Sequence, residues 1–224
     1  MLRAIIIGGT GATGKHLLRK LIINENFSRI TSIGRRPAID GEKNNKLEDI
    51  VIDSLMDLSS TEQYWKGNDV FFNCIGTTRK RAGSVKEFIN IEKGISNEAA
   101  KMAANANIPH ASLISAKGAD HKRWATNWIH PLLYMKTIGQ KEQTVLSNFS
   151  FKKVSIFKPE MLQRLQGKSS WVENIFESKL FNGLRVDILA SAMMQDAEKL
   201  ALEKGEGISQ FFIGNKEIRF SIEL

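Results

Sequence analysis

Ala4-Ile5-Ile6-Ile7-Gly8-Gly9-Thr10-Gly11-Ala12-Thr13-Gly14-Lys15-His16-Leu17-Leu18 joins a β-branched run, three spaced glycines and the start of an amphipathic helix. The apolar run over 3–8 reads as a strand buried on both faces, the kind that parallel sheets use. Over 14–23, Leu17, Leu18, Leu21 and Ile22 share one helical face. The glycines fall in the turn between strand and helix. Gly8 permits the tight turn, Gly11 lets backbone approach a ligand, and Gly14 lets helix and strand pack closely. A helix N-terminus offers free N–H groups and the positive end of its dipole, so this turn suits a phosphate or pyrophosphate. Thr10, Ala12 and Thr13 complete the loop, the threonines adding hydroxyl donors. A glycine turn without a ligand is the plain alternative, and the flanking strand and helix argue against it.

Working outward, strands follow over 29–33, 49–52, 69–75, 109–115 and 151–157. Helical stretches lie between them. Ser60 is expected to cap a short helix that ends before Gly67. Ser84-Val85-Lys86-Glu87 is a capping box that opens a helix running to about residue 105. Another helix spans 132–147. This β-α-β alternation predicts an α/β fold, a doubly wound parallel sheet (a Rossmann fold) with right-handed crossovers. Past Pro159 the pattern loosens. Helices are expected over 171–180 and 187–204, the second capped by Asp187 and ended by Gly205, with a late strand over 209–213. The chain therefore reads as one dinucleotide-binding domain over 1–224. Residues 160–224 form a small C-terminal extension packed on it, a lobe on the substrate side.

Composition narrows the class. The 224 residues are 42% hydrophobic, enough for a sizeable core. One cysteine, Cys74, excludes an intramolecular disulfide and suits a reducing compartment. The four histidines show no ligand spacing, so no metal site is expected. No segment reaches the roughly 18 apolar residues of a membrane helix, and the N-terminus is too short for a signal sequence. A cytoplasmic protein without membrane partners is expected. The net charge of +8 favours an anionic partner. Arg35-Arg36, Arg79-Lys80-Arg81 and His121-Lys122-Arg123 each follow a strand, which gathers them at one sheet edge. Scattered lysines that merely keep the chain soluble are the alternative. Nucleic acid is disfavoured, because the basic runs lack interleaved aromatics and any recognised motif.

The second strand decides which dinucleotide. Folds that prefer NAD usually place an acidic residue there for the ribose hydroxyls. This chain has Gly34-Arg35-Arg36, whose guanidinium groups can clamp a 2′-phosphate bidentately. NADP(H) is the expected cofactor. Asp53 after the third strand is placed to contact adenine, or is equally well a loop residue or a helix cap. Cys74-Ile75-Gly76-Thr77-Thr78 after the fourth strand passes beside the adenosine and pyrophosphate, although Gly76 also suits an ordinary turn.

Together these segments resemble the Tat-interacting-protein oxidoreductases, atypical members of the short-chain dehydrogenase/reductase superfamily. The resemblance rests on Gly8 to Gly14, Ile33-Gly34-Arg35-Arg36, Cys74-Ile75-Gly76-Thr77-Thr78-Arg79, Ile114-Ser115-Ala116-Lys117-Gly118-Ala119-Asp120 and Ile156-Phe157-Lys158-Pro159. It implies NADPH bound by Thr10, Gly11, Ala12, Thr13, Arg35, Arg36, Cys74 and Ile75, and Pro159 is counted with them. It also implies a catalytic serine after the fifth strand, here Ser115 or its neighbour Ala116, and a Tyr-x-x-x-Lys pair, here beginning at Tyr134. In that mechanism tyrosine exchanges a proton with a substrate carbonyl, serine orients the carbonyl, and lysine lowers the tyrosine pKa and holds the nicotinamide ribose.

The chain departs from this pattern at two points. Ile138 stands where the lysine belongs. Lys136 points to another face, and Lys141 shares the face of Tyr134 but lies about 10 Å along the axis; Lys117 approaches from the preceding loop. A tyrosine at its reference pKa of about 10 is only about 0.1% ionised at neutral pH, which handicaps a base by about 4 kcal/mol. A proton donor for reduction is handicapped less. Lys158-Pro159-Glu160 replaces the Arg-Pro-Gly common in relatives. Glu160 either crowds the nicotinamide end, serves as a new acid, or points to solvent. Tyr134 also fits a core position, and Ser115 a strand-end hydroxyl bonded to backbone. Trp124 and Trp128 suit a lid over the nicotinamide end or burial against a neighbour. Two functions follow from these residues: an NADPH-dependent reductase of an unidentified small carbonyl substrate, or a catalytically impaired NADPH-binding regulator acting through protein partners.

Overall fold

The computed structural model describes residues 1–39, 44–126, 130–163, 183–200 and 207–223. Its strands are β1 (Leu2–Ile7), β2 (Phe27–Gly34), β3 (Leu47–Val51), β4 (Val70–Asn73), β5 (His110–Ile114), β6 (Lys153–Lys158), the short β7 (Leu162–Gln163) and β8 (Leu184–Arg185), and β9 (Ile208–Ile213). The helices are α1 (Ala12–Ile23), α2 (Glu62–Trp65), α3 (Arg79–Ala82), α4 (Val85–Ile89), α5 (Ser96–Asn105), α6 (His130–Asn148), α7 (Val186–Leu200) and α8 (Gly214–Glu223). Seven strands pair in the order β3-β2-β1-β4-β5-β6-β9, every neighbouring pair parallel. β7 and β8 pair apart from this sheet. The expected doubly wound parallel sheet is the one observed. Strand order reverses between β1 and β4, which opens a crevice at their C-terminal ends.

The β-branched runs form buried strands because helices cover both sheet faces. Ala4, Ile6, Phe72 and Phe157 face a layer closed by Leu17, Leu18 and Leu21 of α1 and by Leu189 and Met193 of α7. Ile5, Ile7, Phe71 and Ile156 face the opposite layer, closed by Trp65, Ala99, Ala103 and Val145. The period-two alternation is present, but both of its phases are apolar. After Gly183 the chain returns to this framework. β9 extends the sheet beside β6, and the rings of Phe157 and Phe212 stack with centroids 4.4 Å apart. The expected helix over 171–180 lies outside the described residues, as does the end of the one expected over 187–204.

Local signals met mixed outcomes. Ser84 Oγ accepts the Glu87 N–H at 3.1 Å, as a capping serine does. The helix it opens is broken by a π turn over Asn90–Ile95. Ser60 is not a cap; it lies inside a tight turn, Ser59–Thr61, that feeds α2. Thr61 ties that turn, its hydroxyl donating to the Leu58 carbonyl at 2.6 Å and accepting from Trp65 Nε1 at 2.9 Å.

A charged cluster sits under the sheet, away from the crevice. Lys153 Nζ lies 2.9 Å and His110 Nε2 3.4 Å from the Asp196 carboxylate, with all three side chains buried. Burial alone would raise the Asp196 pKa. The hydrogen bond and charge of His110, with the ammonium of Lys153, more than offset it and hold the carboxyl below its ordinary value of 3.8. A lowered carboxyl pKa contributes stability that is complete above 3.8 and lost as pH falls toward the lowered value. Asp196→Asn removes a buried carboxylate from beside the Lys153 ammonium and the His110 ring. The expected cost is about 3 kcal/mol at neutral pH, with a smaller acid-dependent loss below pH 4, read by urea unfolding across pH.

Candidate nucleotide-binding and active site

The loop between β1 and α1 is shaped by contacts that only glycine permits. Gly8 has φ +86°, and a Cβ there would lie 2.7 Å from both atoms of the Cys74 carbonyl. A Cβ on Gly14 would run into the Gly8 carbonyl oxygen and lie 2.9 Å from its carbon. The Gly11 N–H donates to that same oxygen at 2.9 Å. Gly11 is the N-cap of α1, with no side-chain cap and no acidic residue in the first turn. The first N–H groups of the helix therefore keep their donor capacity and positive dipole end for an anion. This cradle fits a pyrophosphate.

On the β2 side of the loop, Arg35 and Arg36 are exposed just past the strand end. Asp49 Oδ2 accepts the Ala38 N–H at 2.7 Å and pins this turn to β3. Asp53 is also exposed, beyond β3. On the β4 side lies a cavity of about 510 Å³. Gly11, Ala12 and Thr13 form one end, Cys74 to Thr78 one wall, and Ser115, Tyr134, Ile138 and Lys141 the other wall; Pro159 to Leu162 and Val186 lie beyond. The structure thus brings Gly11, Ala12, Thr13, Cys74, Ile75, Gly76, Thr77, Ser115, Tyr134 and Pro159 to one cavity. Gly8, Thr10 and Gly14 belong to the same loop but do not line the cavity. Arg35, Arg36 and Asp53 stand outside it, on the opposite side of the phosphate loop. Trp124 is exposed and does not line the cavity, and Trp128 lies outside the described residues.

Helix α6 is held against the loop after β5 by Gly139. A Cβ there would run into the Asp120–His121 backbone, and the Asp120 N–H donates to the Met135 carbonyl at 3.1 Å. This close docking fixes Tyr134, whose ring centroid lies 5.9 Å from that of Phe88. Ile138 is buried on the same wall and brings no charge.

Ser115 is engaged differently from the expectation. Its hydroxyl donates to Glu142 Oε1, while Glu142 Oε2 is 2.9 Å from Lys158 Nζ. Lys158 also donates to the Ala119 carbonyl at 3.4 Å. With its hydrogen turned to a carboxylate, the Ser115 oxygen keeps lone pairs with which it can accept a hydrogen bond. Glu160 does not stand as a bare charge: Lys117 Nζ lies 2.6 Å from its carboxylate at the cavity mouth. A second buried pair, Glu92 and Lys141, borders the same cavity and bonds the Ile75–Thr77 segment. Glu92, Glu142 and Gly139 escaped sequence reasoning, since each acts on a partner distant in sequence, and Lys158 was visible only as part of the Lys158-Pro159-Glu160 departure. Lys141 had one visible signal, its placement on the helix face of Tyr134.

The Cys74 thiol is buried, and that burial pushes its pKa up to about 12 despite the opposing charge of Lys141. Its contribution to the wall is thereby structural and apolar. Native protein at neutral pH is expected to leave a thiol-reactive disulfide dye unconsumed, whereas denatured protein consumes one equivalent for its single cysteine.

Comparison with known proteins agrees with this geometry. The NAD(P)H-binding family matches residues 8–171. The chain is 32% identical to Protein HTATIP2 of Rattus norvegicus over 70% of its own length and 61% of that protein. It is also 32% identical to the mitochondrial Protein FMP52 of Debaryomyces hansenii, over 76% of this chain and 71% of that one. The alignment thus leaves more than a third of the rat protein uncovered. Among solved structures, the oxidoreductase ylbE of Lactococcus lactis superposes with a TM-score of 0.66 at 14% identity, covering 98% of this chain and 95% of that one. The dTDP-glucose 4,6-dehydratase DesIV of Streptomyces venezuelae, solved with NAD bound, gives 0.67 at 12% identity over 99% and 80%. These two likenesses show the fold. With the glycine cradle at the β1–β4 crevice, the family match and the rat and yeast relatives place this chain in the NAD(P)H-binding family of atypical short-chain dehydrogenases/reductases.

Proposed function

We propose that the protein reduces a small carbonyl compound with NADPH. One observation carries this reading: Tyr134 borders the same cavity as the phosphate loop, with Ser115 on the adjoining wall. The Gly11–Thr13 cradle would hold the nucleotide, with Arg35 and Arg36 at its 2′-phosphate, and bound there it would supply the hydride. Tyr134 donates the proton that the reduced oxygen takes up, a role that uses neutral phenol and so tolerates Ile138. Ser115, with its hydrogen committed to Glu142, accepts a hydrogen bond from the hydroxyl that forms. Met161, Leu162 and Val186 give the far end an apolar wall for the remainder of the substrate, which supports a substrate-side role for these residues. The test is deuterium transfer from C4-deuterated NADPH to a panel of aldehydes and ketones. Label is expected in the alcohol product, and Tyr134→Phe is expected to lower the rate by about 100-fold or more.

A second reading has its own observation. Ile138 leaves the position four residues after Tyr134 without an ammonium, and the Ser115 hydrogen is turned away from the cavity. Both suit an NADPH-binding regulator that acts through protein partners. Full NADPH binding without deuterium transfer to any carbonyl in the panel would favour it.

A further inference from the structure

We propose that Glu92 and Lys141 form a subsite for a vicinal diol, the ribose hydroxyls on the nicotinamide side of the cofactor. Lys141 thereby supplies from another helix position the ammonium that Ile138 does not. The inference rests on the reading that the nucleotide crosses the cavity from the phosphate loop toward Tyr134.

The two side chains are almost fully buried, at 2% and 1% exposure, yet both border the cavity. Lys141 Nζ donates to the Ile75 carbonyl at 3.1 Å, which leaves donor capacity on an ammonium with three protons. Glu92 Oε1 accepts the Thr77 N–H at 2.5 Å. Glu92 Oε2 is 3.6 Å from Lys141 Nζ, beyond hydrogen-bond length, and has no hydrogen-bond donor among the described residues. A buried carboxylate oxygen without a donor is costly, and one beside a ligand cavity points to a ligand that donates. The matching group must also accept from an ammonium a few ångströms away. Two adjacent hydroxyls do both, and a lone phosphate or carbonyl does not. The pair brackets Gly76, binding the residue on each side, so the wall is held flat where the ribose passes. Arg35 and Arg36 stand across the phosphate loop, which assigns the adenosine end to them and the opposite ribose to this pair. The π turn over Asn90–Ile95 carries Glu92, and such turns recur at functional sites.

The test compares ligands with and without that ribose. NADPH and NADH contain it, whereas adenosine 2′,5′-bisphosphate and ADP do not. For Lys141→Met, both dinucleotides are expected to bind about tenfold more weakly or worse, with both adenosine ligands within about twofold of wild type. Glu92→Gln is expected to weaken the dinucleotides in the same selective way. The uncharged double variant Lys141→Met/Glu92→Gln guards against misfolding from a single buried charge, and unchanged adenosine-ligand binding certifies its fold. Equal weakening of all four ligands would reduce the pair to a support for the Ile75–Thr77 wall and overturn the proposal. Weakening of none would overturn it too. Including NADH separates this test from the preference for NADPH, and binding readouts separate it from catalysis.

Discussion

Replacing Arg35 and Arg36 together by alanine is expected to weaken NADPH binding by about 30- to 100-fold, while NADH binding changes less than about twofold. Both side chains are exposed at the end of β2, so their removal leaves the core untouched and the melting temperature unchanged. The effect is confined to a ligand that carries a phosphate on the adenosine ribose. Adenosine 2′,5′-bisphosphate should lose affinity in step with NADPH, and ADP should not. Guanidinium groups give this contact both charge and two-pronged geometry, so Arg35→Lys/Arg36→Lys should recover only part of the loss. Measurement at several salt concentrations adds a check, since a phosphate contact at an exposed site weakens as ionic strength rises.

The second large effect is expected from Gly14→Ala, which should abolish nucleotide binding and destabilise the protein by about 3 kcal/mol. A Cβ at residue 14 meets the carbonyl group of Gly8, which is itself fixed by the Gly11 N–H at 2.9 Å and by its approach to Cys74. No flexible side chain is available to yield. Either α1 moves off β1, disturbing the layer of Leu17, Leu18 and Leu21, or the loop opens and the cradle is lost. Gly76→Ala is the matched comparison. Its Cβ would meet only Glu92 Oε1 at 3.9 Å, an ordinary contact, and its effect on stability is expected to be below about 1 kcal/mol. Thermal melts and NADPH titrations of the two variants separate the space argument from a general intolerance of loop glycines.

These contrasts show why parts of the protein were legible in its sequence. The Gly8–Gly14 loop is contiguous, and each glycine has a local geometric reason that survives without knowledge of the fold. The strands were legible because α1 and α7 on one face and α5 and α6 on the other make both phases of each strand apolar. The π turn over Asn90–Ile95 was not legible, since a continuous helix accounts equally well for its buried residues. Ser60 failed as a cap because Thr61, one residue on, satisfies the turn and the Trp65 indole together. At the site, Ile138 was legible as an uncharged residue four positions after Tyr134, and it is buried on the cavity wall. What stands in for an ammonium there depends on Lys141 meeting Glu92 and Ile75, three residues from separate elements. Likewise, Ser115 was visible as a strand-end hydroxyl, but the direction of its hydrogen is set by Glu142 and Lys158, which only the fold brings to it.

Calorimetric titration of the wild-type protein with NADPH and with NADH, under identical conditions, tests the central claim most directly. Binding of both, with NADPH at least about tenfold tighter, is the predicted result. Equal affinities, or tighter binding of NADH, would contradict the assignment of Arg35 and Arg36 to a 2′-phosphate.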